Sequence, residues 1–140
     1  MRLIDRIKNR VKLKNRLKLQ GKAKFVDSFG HAMDGISYTA EHERNFRVEL
    51  CFAIGVTIAS FIFKVSILEW AVLIVTIGIV LALEIVNTAI ERSIDLITKD
   101  YEELAKIAKD SAAGAVLVMS FFSVIIGIII FLPKIIDLFR

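Results

Sequence analysis

"SAAGAVLVMSFFSVIIGIIIFLP", Ser111 to Pro133, carries no charged side chain across 23 residues. At ~1.5 Å per residue, a helix of that length crosses the ~30 Å hydrocarbon core of a bilayer and satisfies its own backbone hydrogen bonds where no water can. The whole chain agrees with lipid as its solvent. Of its 140 residues 56% are hydrophobic and the mean hydropathy is +0.64, too apolar for an ordinary soluble domain of this size.

Upstream, "WAVLIVTIGIVLAL", Trp70 to Leu83, predicts a second span whose helical character continues to about Ile97. "LCFAIGVTIASFIF", Leu50 to Phe63, predicts a first span from only 14 uncharged residues, which Lys64 lengthens by snorkelling. The intervening "KVSILEW" reads as a tight turn with Trp70 at the interface. Further back, Phe25, Phe29, Met33, Ile36 and Ala40 recur every three or four residues, the pattern of a helix lying along a membrane with one face in lipid. Gly30 and Gly35 are places where it can bend. The expected architecture is an all-α membrane protein. It has a basic arm over residues 1–24, an amphipathic surface helix over about 25–47, and transmembrane helices over about 48–67, 69–97 and 104–133. Three spans enclose little by themselves, so an oligomer is expected.

Lysine and arginine are unevenly placed. Twelve precede the first span and four lie between the second and third (Arg92, Lys99, Lys106, Lys109), against one in the first turn and two after the third span. The positive-inside rule therefore puts the N-terminus and the second loop in the cytoplasm of a multi-pass cell-membrane protein. The first 24 residues carry ten basic side chains and one acid, Asp5, and favour an anionic membrane surface. Without interleaved aromatics the arm is a poor nucleic-acid binder, and without an apolar run behind its charges it is not a cleaved signal. Cys51 has no partner for a disulfide or metal cluster and reads as a small apolar residue.

The second span ends in "EIVNTAIERSID", Glu84 to Asp95. At ~100° per residue, Glu84, Asn87, Glu91 and Asp95 fall near 0°, −60°, −20° and +20°, one polar stripe roughly 16 Å long. Ionisable groups at such depth are costly and mark functional sites; an exposed helix end is the bland alternative. "EHERNFRVE", Glu41 to Glu49, and "AKDSAAG", Ala108 to Gly114, converge on the same membrane side. Carboxylates gathered with cations suit Mg²⁺ and phosphate, hence phosphoryl transfer, although no P-loop or soluble-kinase motif occurs.

At these residues the chain resembles the small prokaryotic diacylglycerol kinase and undecaprenol kinase family of integral-membrane lipid kinases, over about Phe25 to Pro133. The resemblance implies a homotrimeric lipid kinase domain over residues 25–140, which moves the γ-phosphoryl of MgATP to a membrane lipid alcohol at the cytoplasmic interface. It further implies that Glu43 and Glu91 bind metal and that Glu84 is the general base. Asn87 and Asp95 become supporting active-site residues, Lys109 and Asp110 nucleotide contacts, and Lys24 and Tyr101 looser nucleotide contacts. "EHERNFR", "EIVNTAIE" and the "FLP" ending resemble the Gram-positive branch, so undecaprenol is the expected acceptor, with diacylglycerol as the alternative. Selectivity is expected in a lipid-facing groove near Glu84, with Val80, Leu81 or Thr88 in its wall.

A non-enzymatic transporter or assembly subunit is the contrasting class, but it calls for carboxylates at the bilayer midplane rather than at one end. His31 and His42 lack partners at zinc spacing, though His31 could approach a nucleotide. Gly78 with Ala82 is a modest helix-packing candidate. Pro133 is expected to end the last helix, and Asp34 and Asp137 to be solvated.

Overall fold

The structure is a computed structural model that describes residues 24–139, so residues 1–23 of the basic arm lie outside the described residues. The chain divides into two units, Met1–Tyr38 and Thr39–Arg140. The described residues are helical throughout apart from short connections, with no strand among them. Among the described residues four helices follow one another: α1 over residues 24–42, α2 Arg44–Ile62, α3 Ile67–Ile97 and α4 Glu103–Leu138. In the first unit, Phe25, Phe29, Met33 and Ile36 recur at helical spacing and are exposed.

The sequence pattern predicts a surface helix to about residue 47, but the backbone breaks at Glu43, which is extended (φ −102°, ψ 118°), and residues 44–47 open α2. The break is stabilised locally. Glu43 N–H donates to the Thr39 carbonyl at 2.8 Å. Arg47 Nη1 donates to the carbonyls of Ala40 at 3.0 Å and Glu41 at 2.8 Å, satisfying acceptors that a helix end leaves without partners.

The turn from α2 to α3 is equally specific. Val65 N–H returns to the Ser60 carbonyl and Lys64 N–H to that of Phe61, a Schellman closure in which Lys64 takes the left-handed position (φ 49°) that glycine usually fills. Ser66 then caps α3: its hydroxyl accepts from Glu69 N–H at 3.3 Å, while the Glu69 carboxylate accepts from Ser66 N–H at 2.6 Å. Glu69 also pairs with Lys134 of α4 at 3.1 Å. Edge-on aromatic contacts of Phe61 with Trp70 and Phe63 with Phe131 close this end over a core of Val65, Leu73 and Ile130. We expect Ser66→Ala to destabilise the helical unit by about 1 kcal/mol, the usual cost of an N-cap, measured as a lowered unfolding midpoint in detergent with helix content retained.

All three helices of the second unit are long and apolar enough to cross a membrane. α3 is central. It packs on both α2 and α4, and a third of its most apolar window is buried (33%) against 11% for each neighbour. Buried hydroxyls in this apolar setting bond to their own helix: Ser60 donates to the Val56 carbonyl, Thr76 to Val72 and Thr88 to Glu84. The expectation that Pro133 ends the last helix is corrected, because α4 runs through it to Leu138. A proline removes one backbone donor, and a membrane helix tolerates that loss. Here the next residue, Lys134, anchors the following turn to Glu69.

Candidate active site

The polar stripe occupies the second half of α3. From Ile67, Glu84 lies about 26 Å along the axis and Asp95 about 42 Å, so Glu84 falls near the far edge of a ~30 Å hydrocarbon layer and Asp95 beyond it. Glu84 is 2% exposed and Asn87 8%, both enclosed by the chain itself, while Glu91 is half-buried and Asp95 exposed. An exposed helix end does not bury its first carboxylate in this way.

Two other elements meet this stripe. Glu43, at the break between α1 and α2, accepts a hydrogen bond on Oε1 from Arg92 Nη2 of α3 at 2.7 Å. Lys109, in the early turns of α4, donates to Asp95 Oδ1. Within the stripe, Asn87 Nδ2 donates to Glu91 Oε1 at 3.1 Å. Glu43, Glu84, Asn87, Glu91, Asp95 and Lys109 are thus brought together, and Glu43 and Glu91 lie within electrostatic reach of Glu84. Asp110 instead pairs with Lys106 one turn back along α4 at 3.5 Å, and Tyr101 stands exposed in the connection before α4. Lys24 opens the described part of the other unit, where its carbonyl accepts from Ser28. His31 and Asp34 face each other at 4.0 Å, both exposed.

Glu49 of α2 joins the site without having been singled out in the sequence. It lies within electrostatic reach of Glu84, and its Oε2 is buried with no hydrogen-bond partner. Its charge, one residue before an uncharged run, was the available signal. Asn87 Oδ1 is likewise buried without a donor. Glu49 is also the single charged residue lining a groove of about 400 Å³ between α2, α3 and α4. Phe52, Val56, Val80, Leu81 and Val124 form much of its wall. Val80 and Leu81 therefore stand in a groove wall, whereas Thr88 is buried and donates to the Glu84 carbonyl.

The donor set has a definite character. Among the described residues no three His, Cys, Asp or Glu side chains form a ready cage for a metal ion. Two carboxylates on neighbouring elements fit Mg²⁺ held jointly with phosphates, the ion's usual arrangement, better than a dedicated all-protein site.

Membrane-length helices, a one-sided carboxylate stripe and cations brought to it from neighbouring elements define an integral-membrane protein with an acid-lined site at one end. The prokaryotic diacylglycerol kinase family model matches residues 30–131. The chain belongs to that family. It is 50% identical over 111 residues to undecaprenol kinase of Bacillus subtilis, covering 79% of this chain and 90% of that protein. It is 41% identical over 112 residues to diacylglycerol kinase of Synechocystis, covering 79% of this chain and 64% of the relative. Against diacylglycerol kinase of Escherichia coli it is 31% identical over 106 residues, covering 75% and 86%.

Proposed function

We propose that this protein is an ATP-dependent lipid kinase that phosphorylates undecaprenol to undecaprenyl phosphate at the cytoplasmic face of the membrane. The observation that carries the reading is the graded stripe on α3. It opens with the enclosed Glu84 at the lipid boundary and ends, two to three turns on, among carboxylates paired with Arg92 and Lys109. Two buried acceptors without donors, Glu49 Oε2 and Asn87 Oδ1, suit the arrival of a hydroxyl. The groove lined by Val80 and Leu81 suits its apolar chain.

In this reading the acceptor hydroxyl comes within hydrogen-bond reach of the Glu84 carboxylate. Glu84 takes the proton as the oxygen attacks the γ-phosphorus, the bond to the β–γ bridging oxygen breaks, and ADP leaves. Glu43 and Glu91 are the residues that would hold Mg²⁺, and the ion would neutralise charge on the triphosphate. Asn87 orients Glu91 through their hydrogen bond. Lys109 and Asp95, paired with each other, form the cation-bearing end that receives the nucleotide, with Asp110 and Tyr101 as further contacts.

The excess of basic residues before the first span and in the second loop supports a cytoplasmic N-terminus and site. The basic arm supports attachment to anionic lipid. The thin packing of α2 and α4 within one chain is in keeping with a homotrimer in which other subunits complete the helix packing.

The test is phosphate transfer from radiolabelled ATP in matched mixed micelles of undecaprenol or 1,2-diacylglycerol. We expect kcat/KM to be higher for undecaprenol. A preference for diacylglycerol overturns the acceptor and keeps the lipid kinase; phosphorylation of neither restores the transporter reading.

A further inference from the structure

Arg92 joins the α1–α2 junction to α3. Its Nη2 donates to Glu43 Oε1 at 2.7 Å, and it also lies within electrostatic reach of Asp95 one turn on. The side chains are 46% exposed for Arg92 and 21% for Glu43, so the pair stands at the open side of the site. Glu43 needs such a partner. It occupies an extended residue between two helices, and its carboxylate makes no capping bond to α2.

Charge gives Arg92 a second task. Glu43, Glu84, Glu91 and Asp95 repel an incoming polyphosphate unless cations face it. Lys109, paired with Asp95, brings a compact charge. A guanidinium is different: its planar fork carries five N–H donors, so it can hold a carboxylate oxygen on one nitrogen and a phosphate oxygen on another. With Oε1 held by Arg92, the Glu43 carboxylate has a fixed orientation and retains Oε2 for a cation.

We propose that Arg92 is a positioning residue of the phosphoryl-transfer site, which fixes Glu43 on α3 through one guanidinium nitrogen and contacts the nucleotide's polyphosphate through another. The proposal deepens the lipid-kinase reading and rests on it.

The experiment uses the full chain in detergent with Arg92→Gln, Arg92→Lys, Glu43→Gln and the double variant Arg92→Gln/Glu43→Gln. Affinity for a non-hydrolysable ATP analogue is measured calorimetrically at saturating Mg²⁺, and analogue-dependent Mn²⁺ binding by electron paramagnetic resonance. We expect Arg92→Gln to weaken analogue binding roughly tenfold to hundredfold, the range for a lost charge-assisted contact. KM for MgATP rises with it, and kcat changes less. Arg92→Lys restores part of the affinity, because charge returns without the fork. The double variant loses less than the product of the two single effects, since both act through one pair.

Unchanged analogue affinity and Mn²⁺ binding in Arg92→Gln overturns the proposal. If that variant does not fold, wild-type affinity in Arg92→Lys overturns it equally. Failure of the underlying reading looks different: the unsubstituted protein then shows no analogue-dependent Mn²⁺ binding and no lipid phosphorylation.

Discussion

Glu84→Gln is expected to lower lipid phosphorylation at least ~100-fold, the low end of what a positioned general base contributes. Glutamine keeps the size of the side chain and its hydrogen-bonding capacity, so it can still accept from an acceptor hydroxyl without taking the proton. Glu84 is 2% exposed, and enclosure limits the freedom of a water molecule to replace it as base. Binding of a non-hydrolysable ATP analogue should be retained, because the carboxylates and cations proposed to face the nucleotide lie two to three turns further along α3. The outcome to look for is therefore a fall in kcat with nucleotide affinity intact and the helical fold preserved in detergent. Near-normal turnover removes Glu84 from the role of base and turns attention to Glu49, the nearby carboxylate whose Oε2 is buried without a partner.

The membrane helices and the carboxylate stripe are both legible in the chain because each depends on local periodicity. Uncharged runs announce helices where the backbone cannot bond to water, and the spacing from Glu84 to Asp95 puts four polar groups on one face whatever the tertiary packing. Contacts set by packing were less visible. The Arg92–Glu43 pair joins residues 49 apart, and nothing in either segment names the other. The break at Glu43 falls among helix-forming residues and depends on Arg47 reaching back to the Ala40 and Glu41 carbonyls. Glu49 closes the "EHERNFRVE" segment in the sequence, but the burial of its Oε2 comes with α2 packing beside α3. Where α4 continues through Pro133, the next residue pairs with Glu69, far away in sequence.

The second large effect is expected at Glu91. Its Oε1 accepts from Asn87, so replacement by glutamine removes the charge of the proposed cation ligand and also weakens the contact that orients it. Outer contacts to a metal ligand alone are usually worth tenfold to a hundredfold, so losing the carboxylate should cost at least about a hundredfold in kcat/KM for MgATP at fixed Mg²⁺. Raising Mg²⁺ should recover part of the loss, because weakened cation binding is opposed by mass action. Glu43→Gln should show the same Mg²⁺ dependence with a smaller loss, since Arg92, the partner of Glu43, keeps its charge and on the proposal above still faces the triphosphate. Asn87→Ala should fall between the unsubstituted protein and Glu91→Gln, because it removes the orienting donor and leaves the charge. Initial rates across a Mg²⁺ series at fixed ATP separate these cases. If Glu91→Gln keeps both its MgATP affinity and an unshifted Mg²⁺ curve, the stripe on α3 is not the metal-bearing wall of the site.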